Sequence, residues 1–253
     1  MAKLSQESLV LIMKKSSAEL KALAKQRLAG HYGILIGGFL LGSGVGILLS
    51  LLLEAVFHPN TNASSLSIAL YCVCTFIVAL LEEVLTVGYT KMALDISRGL
   101  EARLDTLFYG FSHQPDRVIL LSILVSLIAF ACVLPGILIT IVCSVIGVSA
   151  ALPLMLAGIL ALLAGIVFSV IINYAYGLVF YLYLDHPEKG VLQLMRESRQ
   201  IMKGNKGRLF YLDISFIGLF LLSSLTCFIG LLWVLPYVEM TKAHFYRNLL
   251  GEV

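Results

Sequence analysis

From Val118 to Leu184 the chain runs for 67 residues without one Asp, Glu, Lys or Arg. A helix that crosses a bilayer needs only ~20 apolar residues, so this run is too long for one crossing and fits two joined by a short turn. Over all 253 residues, 59% are hydrophobic and 13% charged, which leaves too little polar surface to meet water unless lipid covers most of the chain. The first apolar stretch opens near Tyr32, after a charged, helix-forming segment, and is too long to be a cleavable signal. Five cysteines (Cys72, Cys74, Cys132, Cys143 and Cys227) all lie in apolar stretches. They read as small packing residues rather than disulfide partners or metal ligands.

Apolar stretches cover roughly 32–53, 66–90, 118–145, 152–184 and 209–238. The last is one helix or, if it breaks near Cys227-Phe228-Ile229-Gly230, two. The cations decide between these readings, because Lys and Arg gather on the cytoplasmic side of membrane proteins. Lys3, Lys14, Lys15, Lys21, Lys25 and Arg27 precede the first stretch, and Lys91, Arg98, Arg103 and Arg117 follow the second. Lys189, Arg196, Arg199, Lys203, Lys206 and Arg208 follow the fourth, and Lys242 and Arg247 close the chain. With the break, all 18 fall on one side, and the opposite loops near Phe57–Ser65, Gly147–Ala151 and Cys227 hold none. The expectation is an all-α polytopic transmembrane helix bundle, six helices as three hairpins in one integral membrane domain over 1–253. Both termini are then cytoplasmic.

The three hairpins repeat one order of parts, in units of roughly 17–95, 100–185 and 187–250: a short amphipathic helix, a glycine-containing turn, two crossings. In the second unit Leu100, Leu104, Leu107, Phe108 and Phe111 share a helical face. In the third, Val191, Met195, Ser198 and Met202 form one face, and Lys189, Gln193, Arg196, Gln200 and Lys203 the other. Asp185-His186-Pro187-Glu188 reads as the capping box that opens this helix, and Ser16 with Glu19 as that of the N-terminal one. Such helices are expected to lie flat on the cytoplasmic surface with their cations toward anionic headgroups.

The pattern Asp185-His186-Pro187, Met202-Lys203-Gly204-Asn205-Lys206, Ser215-Phe216-Ile217-Gly218, Trp233-Val234, Pro236-Tyr237 and Phe245-Tyr246 is long and ordered. Arg98-Gly99, Gly110-Phe111 and Pro135-Gly136 continue it upstream. In these residues the chain resembles a family of bacterial integral membrane proteins catalogued as domain of unknown function 975. The resemblance covers most of the chain and is strongest from Asp185 onward. It implies a helical membrane fold in the bacterial cell membrane and supplies no activity. Glu82-Glu83 stand where the family has a small or proline-containing segment.

No phosphate-binding glycine loop, zinc-type histidine pair or nucleophile elbow is present in the sequence. No cofactor is expected, and the chain reads as a non-enzyme. Glu82 and Glu83 lie eight to nine residues before Lys91, ~12–13 Å along a helix at ~1.5 Å per residue. Carboxylates at that depth face a bundle interior or a functional site. With Asn173, Asp213 and Glu239 they form the candidate intramembrane polar site; packing between helices is the blander reading. Lys189, Arg196, Arg199, Lys203, Lys206 and Arg208 are candidate headgroup contacts. Because this segment abuts a membrane helix, anionic lipid is its expected partner and nucleic acid is not. Three classes follow: an organiser that binds lipid or a membrane or cytoplasmic protein, a small transporter or permease-like component using Glu82 and Glu83, and, last, an intramembrane enzyme.

Overall fold

The computed structural model describes residues 15–57, 64–146 and 148–253, the side chains of 144–154 excepted. Lys3, Lys14, Gly147 and most of the loop after Phe57 lie outside them. Among the described residues every regular element is helical.

Helix α1 (Ser17–Leu28) opens with the expected capping box: Ser16 Oγ accepts the Glu19 N–H at 3.3 Å, and Glu19 accepts the Ser16 N–H at 2.6 Å. Leu20, Ala24 and Leu28, four apart, form its buried face. Helices α2 (Tyr32–Phe57) and α3 (Ser65–Arg98) run antiparallel, with Gly38 against Met92, Phe39 beside Tyr89 and Phe57 beside Tyr71. Gly99, at φ 81°, ends α3 in a left-handed cap: its N–H meets Ile96 O, and the Leu100 N–H meets Asp95 O.

The segment after Gly99 departs from expectation. No surface helix spans 100–111; a 3-10 turn (Leu104–Phe108) leads into one helical turn, α4 (Tyr109–Ser112). The Leu107 carbonyl lies where a Cβ on Gly88 would stand, and Gly110 packs on the Val84 backbone. Two glycines therefore let this segment cross α3 closely and bury Leu107, while Leu104, Phe108 and Phe111 stay exposed.

Helices α5 (Pro115–Ile146) and α6 (Val148–Tyr176) form a second antiparallel pair. Gly136 packs on Leu162, Gly158 on Ile139 and Thr140, and Gly165 on Cys132. Small residues here bring the backbones together, as membrane helix pairs require when lipid offers no hydrophobic driving force.

Helix α7 (Val179–Asp185) continues the line of α6, and α8 (Val191–Ile201) follows. The capping box expected from Asp185 to Glu188 is not there; Gly190 starts α8 with no side-chain cap. Asp185 instead accepts two N–H bonds from Arg98, at 2.6 and 2.8 Å, and the Tyr246 O–H at 2.7 Å. A bidentate charge-assisted pair outweighs a cap bond, so the carboxylate goes to Arg98. The apolar face of α8 also differs from expectation. Leu194, Met195, Ser198 and Met202 are buried against protein rather than offered to a membrane, and Ser198 Oγ donates to Ala175 O at 3.1 Å.

Helices α9 (Lys206–Ile214) and α10 (Ile217–Leu225) carry the chain to a tight turn in which Cys227 and Phe228 have positive φ. Helix α11 (Leu231–Leu249) folds back, as the pairs Gly230/Ser223, Tyr237/Phe216 and Lys242/Asp213 show. Five helical segments among the described residues are long and apolar enough to cross a membrane: Tyr32–Phe57, Ser65–Arg98, Pro115–Cys143, Met155–Asp185 and Lys206–Leu225. Helix α11, with Glu239, Lys242 and Arg247 in 19 residues, is not among them.

The core sits at one pole of the molecule. Buried there are Met92, Leu94 and Ile96 of α3, Tyr181 and Tyr183 of α7, Leu194 of α8, Leu212 of α9, and Phe245 and Tyr246 of α11. Away from it the helices expose large apolar side chains such as Leu48, Leu52, Val73, Phe76, Leu160 and Leu225. That division suits a protein whose hairpins are solvated by hydrocarbon and whose ends are tied together in water.

Candidate functional site

The five polar residues picked out in apolar sequence separate into two places and one bystander. Asn173 and Asp213 line one cavity, and Glu239 stands behind its wall, bonded to Tyr181. Glu82 stands alone between α2 and α3. Glu83, one residue on, turns toward Ser122 of α5 and joins neither group.

At the first place two tyrosines assemble the polar side chains. Tyr181 O–H donates to Glu239 Oε1 at 2.8 Å, and Thr90 Oγ1 donates to the same oxygen at 3.0 Å. Tyr174 O–H donates to Asp213 Oδ2 at 3.0 Å, while Lys242 Nζ lies 3.6 Å from Asp213 Oδ1. Tyr174, Tyr181, Asn173, Asp213 and Lys242 line one cavity of about 410 Å³ between α6, α7, α9 and α11. The amide of Asn173 is turned to Ser169 O at 2.9 Å, so its carbonyl oxygen remains free for another donor.

A second cavity, of about 400 Å³, adjoins this one, for Val170 and Tyr174 line both. Its other walls are Ile166, Val167, Ile171 and Phe210, with Lys206 at the rim. An apolar trough thus stands wall to wall with a chamber of mixed lining, whose polar groups are Asn173, Tyr174, Tyr181, Asp213 and Lys242. Lys206 is in no ion pair among the described residues. It is therefore the cation at this rim that no carboxylate compensates.

The other candidate headgroup contacts divide by what they already hold. Lys189 is paired with Glu197 at 2.8 Å. Arg208 donates to Lys15 O and Asn248 Oδ1 and lies over the Phe245 ring, so it anchors helices to one another. Arg196 and Arg199 of α8 and Lys203 in the turn after it are exposed.

Sequence reasoning missed the tyrosines, which composition counts as apolar; the signal available was their recurrence at 174, 176, 181 and 183, at the end of the charge-free run. It also missed the clasp at the core pole. There Arg98 bridges Asp185 and Glu252, Arg247 holds Glu252 at 2.9 Å, and Arg247 also donates to Ser97 O. Burial alone would raise the Glu252 carboxyl, but hydrogen bonds from Arg98 and Arg247 outweigh it and hold it below the usual carboxylate range.

Comparison with curated proteins gives no match, and comparison with solved structures gives none. A family model described as "Protein of unknown function (DUF975)" matches residues 13–252, nearly the whole chain, and the protein belongs to that family.

Proposed function

We propose that this protein is a non-enzymatic, lipid-binding organiser of the bacterial cell membrane. In this reading the single domain crosses the bilayer six times, α11 being the last crossing, with the core pole and both termini in the cytoplasm. The observation that carries it is the pair of adjoining cavities, an apolar trough of Ile166, Val170, Ile171 and Phe210 beside a chamber with Asn173, Asp213 and Lys242. One amphiphile fits that division, its acyl chain in the trough and its phosphate at Lys206. The exposed Arg196, Arg199 and Lys203 extend the cationic surface beside it, each worth ~1 kcal/mol toward anionic headgroups.

Lipid binding is favoured over passage of a solute because the Glu82 cavity and the Asp213 cavity share no lining residue. The test is a phospholipid carrying a photoreactive group on its acyl chain, incorporated with the purified protein into nanodiscs. Labelling concentrated in 166–174 and 206–210 supports the reading. Labelling spread evenly over all apolar helices, as for annular lipid, refutes it. Lys206→Ala should weaken retention of an anionic lipid about fivefold, the loss of ~1 kcal/mol.

A further inference from the structure

The cavity between α2 and α3 lies apart from the lipid trough and differs from it in chemistry. It is an open recess of about 250 Å³, lined by Glu82, Ser43, Thr86, Phe39 and Tyr89 among smaller and apolar groups, with no Lys, Arg or His, and Glu82 and Thr86 stand exposed at it. Ser43 Oγ donates its proton to Phe39 O at 2.5 Å, and Thr86 Oγ1 donates its proton to Glu82 O at 2.9 Å. Both hydroxyls have thus spent their donors on the backbone and offer only lone pairs. The Tyr89 hydroxyl is buried with no hydrogen-bond partner, and the Tyr89 ring lies 6.4 Å from that of Phe39 at 57°. Glu82 has no ion-pair partner among the described residues. It is held against Gly46 of α2, where any Cβ would occupy the position of its carboxylate.

Such a lining is rich in acceptors, carries one uncompensated carboxylate and includes two aromatic rings. An anion would find a single donor there. A hard metal ion prefers six or more oxygens and gains nothing from the rings. A cation with apolar substituents satisfies every wall at once: its charge meets Glu82, and its substituents meet Phe39, Tyr89 and Leu85. We infer that the cavity between α2 and α3 is a binding site for a small organic cation of the ammonium class, held by Glu82 against the Phe39–Tyr89 ring pair. The recess can take a small cation whole or the head of a longer amphiphile. This site does not depend on the lipid trough, and either can fail without the other.

Tetramethylammonium chloride, titrated by calorimetry into the full chain in detergent against sodium chloride at equal ionic strength, tests it. Saturable binding with one site per chain is expected for the wild type. Glu82→Gln should weaken it at least about tenfold, because it removes the only charge on these walls that opposes the cation. Gly46→Ala should weaken it by displacing the carboxylate, and Phe39→Leu by removing a ring without touching charge. Glu83→Gln, on the α5 side, should leave it unchanged. Thermal unfolding of each variant separates lost binding from lost structure, and if Glu82→Gln does not fold, Phe39→Leu carries the comparison. Absence of saturable binding by the wild type overturns the proposal. So do equal binding by sodium, and unaltered binding in folded Glu82→Gln or Phe39→Leu.

Discussion

Asp185 gathers a bidentate pair from Arg98 and a phenolic O–H from Tyr246, and so joins α3, α7 and α11 at one carboxylate. With side-chain exposures of 26% for Arg98 and 17% for Asp185, the pair is withdrawn enough from water that removing one charge leaves the other poorly compensated. Asp185→Asn should cost about 2–3 kcal/mol, below the range for fully buried pairs, read as a lowered unfolding temperature in detergent. Glu252 makes the neighbouring clasp, and there pH is the probe. Its folded-state carboxyl titrates below its unfolded value of ~4.3, so the clasp contributes fully above that pH. Its contribution is lost as the pH falls through the folded-state value. A fluorophore on Val253 should therefore become mobile on acidification below about pH 4, and Glu252→Gln should be mobile at neutral pH already. Equal mobility of wild type and variant at neutral pH would show that the clasp does not hold the C-terminus.

At the level of helices, periodicity told which face of an element is covered but not what covers it. Met195, Ser198 and Met202 were legible as one face of α8, yet α6 and α7 fill it, because an apolar stripe looks the same to lipid and to protein. A nitroxide at Met195 should accordingly have low access to both oxygen and water, in detergent and in bilayers alike, with Arg199 open to water. High oxygen access at 195 would mean lipid contact. The turn at Cys227–Gly230 was legible because the cations demanded a reversal, and the Ser16 cap because its partner Glu19 is local. The start of α8 was not, since the competitor for Asp185 lies 87 residues away in sequence. Glycine contacts between α5 and α6 lead to a further expectation: Gly165→Leu, forced onto the Cys132 backbone, should destabilise that hairpin by about 1–3 kcal/mol, measured by thermal unfolding.

For the molecule as a whole, the burial pattern divides a tied pole from apolar hairpins; hydropathy in the sequence pointed to the hairpins, but not to the packed core at their end. The polar site was legible only in part. Asn173, Asp213 and Glu239 stood out as polar residues in apolar surroundings, but the cavity of the first two, and the Tyr181 that ties Glu239 to its wall, rest on packing among helices far apart in sequence. The proposed six crossings with a cytoplasmic C-terminus predict that an exterior-active reporter fused after Val253 is silent and that one inserted between Phe57 and Ser65 is active. The lipid site itself is tested most directly by native mass spectrometry of the protein released from detergent micelles. The wild type should retain one tightly held phospholipid per chain. Val170→Trp, which fills the wall shared by trough and chamber, should release it, whereas Leu48→Trp on the exposed face of α2 should keep it. A wild type that carries no bound phospholipid, or a Val170→Trp variant that carries as much as the wild type, would contradict the account.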